Sequence, residues 1–411
     1  MAIEQSIDQQ VALLMQGIEM GDEKLKEAMG KELRERLEDS QNTGVPLRVY
    51  CGYDPTSPDL HIGHTVTMRK LRQFQELGHQ AIFVVGSFTA LVGDPSDKDK
   101  ARPRLTKEQV MANAKTYTDQ AFKILDREKT EVRFNDRWLS GVTLEQVIEV
   151  ASNFTVQQFL VRDNFSKRYA SNEPIWLHEF FYALLQGYDA AELRADVQLG
   201  ATEQLFNLLA GRKLQEAMGM KPQVALTVPV LVGTDGHLRM SKSTGNTIGI
   251  DEPPEEMYGK VMSIPDSAMS NYFRLVTRWT PDEVAFLEEG LASGDLHPRD
   301  VKMRLAREVV EIYHGVEAVE PAEAAFVHLV QEGGQPEDMP EHAYQAGTPL
   351  IDAMVDSGLV ESKSQARRLV DQNGVRLNGE VVEDPNFNLD FQEAAVLQVG
   401  KRRFARLVRA Q

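Results

Sequence analysis

Apolar and polar positions change period several times along this chain, and each change marks an element. Residues 4–39 carry Val11, Leu14, Met15 and Ile18 at helical spacing and are predicted helical. Asn42, Gly44 and Pro46 then punctuate the chain, and residues 47–53 (LRVYCGY), rich in β-formers, read as a buried strand. After a turn over 54–58 the helical period returns over 62–77, Gly78 is a natural stop, and residues 80–85 (QAIFVV) form a second buried strand. Two buried strands joined through a helix imply a parallel pair with a right-handed crossover.

The alternation continues. Strands are expected at 131–134, 195–199 and 223–232, and helical patterns at 106–126, 143–161, 178–193 and 202–218. This predicts an α/β fold with a Rossmann-type doubly wound parallel sheet over residues 1–250, N-terminal helices included. The glycine-rich stretch 233–249 reads as a mobile loop. Beyond Pro253 and Pro254 the pattern is mostly helical, with a helix at 297–314, and defines a second domain over 251–332. Residues 333–348, with Gly333, Gly334, Pro336, Pro340 and Gly347, are the expected linker. Residues 349–411 form a small α+β domain, with helices near 349–357 and 362–372 and strands near 375–377, 380–382 and 395–398. No internal repeat is visible.

A length of 411 residues suits two or three domains, and 42% apolar with 26% charged residues excludes wholesale disorder. No stretch approaches the ~20 uninterrupted apolar residues that span a bilayer, so no membrane partner is expected. The N-terminal VALLM is broken by Gln16, Gly17 and Glu19, too soon for a signal peptide. A single cysteine, Cys51, excludes an intramolecular disulfide and suits a reducing cytoplasm. The net charge of −17 argues against a polyanionic partner until its distribution is considered. Residues 361–411 hold nine Lys and Arg against seven Asp and Glu, and the rest of the chain carries −19. An acidic body with a locally basic tail still docks a polyanion through selected patches.

Two motifs carry chemistry. His61-Ile62-Gly63-His64 sits where a strand gives way to a helix, so two imidazoles meet free helix N–H groups and the positive end of a helix dipole. That combination suits a phosphate and its developing charge, and Gly63 permits close approach. A surface histidine beside a helix-start histidine is the plain alternative. Some 175 residues on, Arg239-Met240-Ser241-Lys242-Ser243 lies in the glycine-flanked loop, where a lysine can close over a triphosphate or simply be solvated. Together, in this order and on this topology, they resemble the two signatures of class I aminoacyl-tRNA synthetases. These enzymes activate an amino acid with ATP and pass it to the tRNA 3′ end. In that context Asp94 of Gly93-Asp94-Pro95-Ser96 would face the substrate ammonium, with Lys98 and Arg102 near the pyrophosphate; the alternative for Asp94 is a turn former.

On the helix over 178–193, Tyr182, Gln186 and Asp189 share one face among Phe180, Phe181, Leu184 and Leu185, so a polar stripe points inward. With Tyr50 and Cys51 on the first strand, this closely resembles the bacterial type of tyrosyl-tRNA synthetase. The resemblance runs from the strand at 47 to the C-terminus. It implies that Tyr50 and Asp189 bind the substrate phenol, and that Asp94, Tyr182 and Gln186 hold the ammonium, with Gln204 beside the tyrosine. It implies that Cys51, Gly52, Asp54 and Gly63 lie against the adenylate together with Glu203 and the run Arg239, Met240, Ser241, Lys242 and Ser243. Thr56, His61, His64 and Lys242 would stabilise the transition state. Two positions depart from the pattern: Glu203 stands where many members have Asp, and Arg239 where the lysine signature opens with Lys. A buried Asp and Tyr aimed at one hydroxyl can reject phenylalanine by ~10⁴–10⁵, which makes an editing domain unnecessary.

The tail contains Lys363, Arg367 and Arg368 on a short helix, Arg376 before an Asn378-Gly379 hairpin turn, and Lys401 and Arg402. It resembles an S4-like RNA-binding module, which implies that these six cations meet RNA; a capping subdomain with solvated arginines is the alternative. The substrates implied are L-tyrosine, ATP with Mg²⁺ and tRNA(Tyr), with no protein-ligated metal, a homodimer and a cytoplasmic location. The nearest rival is a tryptophanyl-tRNA synthetase, against which Tyr50, Asp189 and the tail speak. A non-catalytic RNA-binding paralogue would be expected to erode the His or Lys signature. Small nucleotidyltransferases sharing the histidine signature are shorter and lack such a tail.

Overall fold

The computed structural model describes residues 5–56, 59–96, 106–331, 339–400 and 403–410. The described chain forms two compact units, Met1–Val316 and Glu317–Gln411. In the first, five parallel strands make one sheet: β1 (Arg48–Tyr53), β2 (Gln80–Val85), β3 (Thr130–Phe134), β4 (Val197–Ala201) and β5 (Val224–Val228). Their order is β3-β2-β1-β4-β5, all neighbours parallel. Val49, Ile82, Val84, Leu199 and Leu226 are fully or nearly fully buried along these strands, as in a sheet with helices on both faces. The order reverses direction between β1 and β4, and such a switch point opens a crevice at the carboxyl ends of the strands.

Several expected elements divide. The helical stretch predicted over 4–39 is two helices, Ile7–Met15 and Glu23–Thr43. Gly17 and Gly21 between them take φ of +72° and +71°, which a continuous right-handed helix does not allow. The helix expected over 143–161 breaks into Leu144–Ala151 and Val156–Leu160, because Thr155 and Gln158 form a new capping box. The strand expected over 223–232 stops at Val228, before Pro229.

The expected boundary near residue 250 falls inside the first unit. The helices Pro254–Met262, Met269–Leu275, Pro281–Ser293 and Pro298–His314 follow it. They reach the strand ends through two tyrosines. Tyr313 Oη lies 2.6 Å from Thr65 Oγ1, just after the histidine motif, and Tyr272 Oη donates to the carbonyl of Val232 at 2.9 Å.

The second unit has its own core, including Leu350, Met354, Val370, Val375, Leu397 and Leu407. Helices Leu350–Asp356 and Lys363–Asp371 accompany seven strands: β6 (Glu341–Tyr344), β7 (Thr348–Pro349), β8 (Val375–Leu377), β9 (Glu380–Val381), β10 (Asn388–Leu389), β11 (Ala395–Val399) and β12 (Arg403–Arg409). Part of the segment expected as linker is therefore structural, since β6 pairs in parallel with β12 at the edge of a sheet ordered β6-β12-β11-β8-β9. Among the described residues, no helix is long and apolar enough to cross a membrane.

Candidate functional site

A cleft of about 400 Å³ opens at the switch point. Cys51, Gly52 and Asp54 enter it from the end of β1, and Glu203 and Gln204 from the turn after β4. Thr56, His61, Gly63, His64, Asp94, Tyr182, Arg239, Met240 and Ser241 complete the predicted residues that line it. Residues 140 or more apart in the chain thus converge where the strand order alone places a ligand crevice.

The histidine motif is a short 3₁₀ turn, Ile62–Thr65, leading into the helix Val66–Glu76. The imidazoles stack with centroids 3.7 Å apart, and the backbone N–H of His61 donates to His64 Nδ1 at 3.2 Å. Gly63 suits this stack, since a Cβ there would meet His61 Nδ1 at 3.0 Å and press on the ring. Burial first, then His64 and the cations Lys242 and Arg239, push His61 down to about 3. Burial, with Arg239 and Lys242, takes His64 to about 4. Both rings are therefore neutral near pH 7, and His61 Nδ1 is buried without a hydrogen-bond partner.

The lysine-signature loop is cross-braced. Asn246 Oδ1 accepts from the Ser241 N–H at 2.8 Å and from Thr244 Oγ1 at 2.6 Å, while its Nδ2 donates to Asp235 and to the Arg239 carbonyl. Asp235 also accepts the N–H groups of His237 and Leu238, and these bonds hold its carboxyl down at about 2. The loop is tied back to the histidine motif, because Ile62 N–H donates to the Ile248 carbonyl at 2.9 Å and His61 bridges Gly249. Lys242 pairs with Asp59 at 3.1 Å. The two residues that depart from the family pattern meet: Arg239 Nη1 lies 3.3 Å from Glu203 Oε1, across the cleft mouth. Lys242 and Ser243 do not line the cleft in this state.

Deeper, Asp54 accepts from Tyr182 Oη at 3.0 Å and from Thr89 Oγ1 at 2.7 Å. Gly86 makes room for it, since a Cβ at that position would fall 2.0 Å from Asp54 Oδ1. Asp94 accepts from the Ser96 N–H at 2.8 Å and from Gln204 Nε2 at 3.2 Å.

Tyr50, Gln186 and Asp189 are buried behind the cleft rather than in its lining. Tyr50 Oη is 3.5 Å from the Gln186 carbonyl, and Gln186 Oε1 is buried with no hydrogen-bond partner. Burial, with Asp189 nearby, lifts the Tyr50 phenol well above its usual range. Asp189 accepts from Trp138 Nε1 at 2.7 Å and Asn135 Nδ2 at 3.2 Å; burial still raises its carboxyl to about 7 against these two bonds. Trp138 and Asn135 escaped the sequence reading. Their signal was their place just beyond the carboxyl end of β3, where this fold gathers site residues. Burial pushes the Cys51 thiol up to about 11, so its contribution to the cleft wall is contact rather than nucleophilic chemistry.

Lys98 and Arg102 lie outside the described residues, as do Lys401 and Arg402. In the second unit, Lys363, Arg367, Arg368 and Arg376 are exposed. Lys363 pairs with Asp352 at 2.8 Å, and Arg376 Nη1 donates to the Gly379 carbonyl at 3.0 Å. Among the described residues, no group of three or more His, Cys, Asp or Glu side chains is placed to hold a metal ion.

Residues 41–331 match the family model of tRNA synthetases class I (W and Y), and residues 348–394 match the S4 domain. The tyrosine–tRNA ligase of Moorella thermoacetica is 50% identical over 406 residues, 98% of this chain and 97% of that protein. That of Geobacter metallireducens is 47% identical over 98% of this chain and 99% of its own length. A tyrosyl-tRNA synthetase of Archaeoglobus fulgidus, solved with L-tyrosine, shares the fold at a TM-score of 0.59 and 22% identity, covering 78% of this chain and 99% of its own. By sequence and by fold, the chain belongs to the class I tRNA synthetases of the W and Y group and carries an S4 domain towards its C-terminus.

Proposed function

We propose that this chain joins tyrosine to its tRNA: it activates L-tyrosine with ATP to tyrosyl-adenylate and pyrophosphate, then transfers the tyrosyl group to the 3′ end of tRNA(Tyr). The observation that carries the choice of amino acid is the buried Asp189 and Tyr50 pair behind the cleft, with Trp138 and Asn135 fixing the carboxylate. A phenol donates to Asp189 and accepts from Tyr50, whereas phenylalanine leaves both groups stranded. An indole N–H has no acceptor role to offer Tyr50, which disfavours tryptophan.

In this reading the ammonium meets Asp94, with Tyr182 and Gln186 beside it and Gln204 bridging to Asp94. The tyrosine carboxylate attacks the α-phosphorus, and the bond from that phosphorus to the bridging oxygen of pyrophosphate breaks. Neutral His61 and His64, with Thr56, donate hydrogen bonds to the oxygens that gain charge, so no proton needs to leave an imidazole. Lys242, with Arg239, Lys98 and Arg102, neutralises the departing pyrophosphate, whose Mg²⁺ arrives with the nucleotide. Gly52 leaves open backbone surface for the adenylate, and Cys51, Asp54, Gly63, Met240, Ser241 and Ser243 line its sides.

Residues 251–332 would form the anticodon-side domain, and Lys363, Arg367, Arg368, Arg376, Lys401 and Arg402 would meet the tRNA backbone. The reading also includes a homodimer in the cytoplasm. Support for a dimer comes from Leu144, Ile148, Val156, Val161, Trp176 and Leu177, all more than half exposed within one stretch of chain. Charging bulk tRNA with each labelled amino acid tests the function: tyrosine alone should become attached, and attachment of tryptophan instead would overturn the choice of substrate.

A further inference from the structure

One buried cation takes no part in the chemistry above. Arg162 lies between the helices Val156–Leu160 and Asp163–Ala170 and is nine-tenths buried. Its guanidinium sits 4.7 Å from the ring centroid of Phe206 and 5.4 Å from that of Phe165. Nη2 donates to Ser96 Oγ at 2.8 Å, and Nη1 is buried with no hydrogen-bond partner. Two residues on, Asn164 Nδ2 donates to the Pro95 carbonyl at 2.7 Å. The start of the Asp163–Ala170 helix thus grips the turn 94–96 from behind at two points. That turn presents Asp94, whose orientation is set by the Ser96 N–H on one oxygen and Gln204 on the other.

Desolvating a guanidinium is costly unless an anion compensates. Burial lowers the proton affinity of Arg162, and the Asp94 carboxylate and the Tyr182 phenol are the groups that offset this. Both line the cleft. The cation therefore stands one residue away from the carboxylate that the proposed function assigns to the substrate ammonium, holding the Ser96 hydroxyl while the Ser96 N–H holds Asp94.

We propose that Arg162 is a positioning residue for amino-group recognition, acting through the Ser96 hydroxyl to hold the Asp94 turn in the orientation that receives the ammonium. The inference rests on the reading of Asp94 given above. It extends that reading to a residue that never touches the substrate. The planar fork suits the role because one arm can hold Ser96 while the guanidinium plane packs against the two phenylalanines.

Four variants and a substrate analogue test it. Arg162→Met, Ser96→Ala and the double variant are compared with the parent in pyrophosphate exchange. Equilibrium binding of tyrosine is measured beside that of 3-(4-hydroxyphenyl)propionate, which has the phenol but no amino group. Ser96→Ala keeps the backbone N–H that orients Asp94, so it removes only the link to Arg162 and protects the test against misfolding of Arg162→Met. Each single variant should raise the KM for tyrosine about tenfold, the effect of one hydrogen bond to a charged group, with kcat within about twofold. Binding of the analogue should be unchanged, and the double variant should be no worse than either single, because both break one chain of contacts. Equal weakening of tyrosine and analogue, or additive effects, would reduce Arg162 to a packing group and overturn the inference. Asp94→Asn separates the two levels. If it weakens tyrosine but not the analogue while Arg162→Met is silent, only the inference fails; if it leaves tyrosine binding intact, the reading of Asp94 fails and the inference with it.

Discussion

Replacing Trp138 by Phe removes one donor from the buried Asp189 carboxylate and keeps most of the ring in place. The bond lost is short, 2.7 Å from Nε1 to Oδ1, and charge-assisted. Such bonds contribute ~1.5–3 kcal/mol, which at ~1.4 kcal/mol per pH unit corresponds to ~1–2 units of carboxyl pKa. Asp189 already stands at about 7 because burial outweighs the Trp138 and Asn135 bonds, so the variant should carry it to ~8–9. Protonated Asp189 no longer offers the phenol a charged acceptor. The kcat/KM for tyrosine should therefore fall on the acid side, with a midpoint near 7 in the parent and ~1–2 units higher in the variant. Near pH 7.5 the ionised fraction would drop from roughly three-quarters to roughly a tenth, a loss of about eightfold in kcat/KM. Pyrophosphate exchange across pH reads this directly, with phenylalanine as the control whose profile should lack the limb. An acid limb that stays near 7 in Trp138→Phe, or that phenylalanine shares, would refute the placement of the phenol on Asp189.

Four further outcomes follow from the same geometry. Because the native state holds Asp189 protonated up to about 7 while the unfolded chain releases that proton near 3.8, the carboxyl lowers stability as pH rises through this window, by up to ~4 kcal/mol; urea unfolding at the two ends of the window should show Asp189→Asn flattening that slope. His61 and His64, held at about 3 and 4, should give no imidazole limb in the activation rate between about pH 5 and 8, and His64→Ala should lower that rate roughly 10²-fold with tyrosine affinity nearly unchanged, as stopped-flow fluorescence and equilibrium dialysis can measure. Arg367→Ala and Arg368→Ala, both at exposed positions, should each flatten the log–log salt dependence of tRNA binding by ~0.7–0.9, and unchanged slopes would leave these arginines solvated.

The strands at 47–53 and 80–85 were legible because their central residues are buried, and a short run of β-formers between turn residues has few other readings. The histidine and lysine signatures were legible as short motifs whose order and topology together are specific, and the inward polar stripe of Tyr182, Gln186 and Asp189 because it puts costly polar groups where periodicity asks for apolar ones. What stayed hidden depended on contacts distant in sequence. Trp138 and Asn135 look like ordinary residues of a short polar stretch until the parallel sheet brings them to Asp189. Asn246 gives no local sign that it ties together Asp235, Arg239, Ser241 and Thr244. The final strand, Arg403–Arg409, was missed because Arg403, Arg406 and Arg409 recur every third residue and obscure the alternation. Its pairing with Ala395–Val399 and Glu341–Tyr344 supplies what local propensity does not.

The central claim is that the cleft at the switch point activates tyrosine and no other amino acid. ATP–pyrophosphate exchange in the absence of tRNA, run with each of the amino acids in turn, tests it most directly. Exchange with tyrosine alone, and phenylalanine lower by ~10⁴ or more in kcat/KM, is the expected result. Exchange driven by tryptophan, or comparable exchange with phenylalanine, would contradict the assignment of Asp189 and Tyr50 to the phenol hydroxyl.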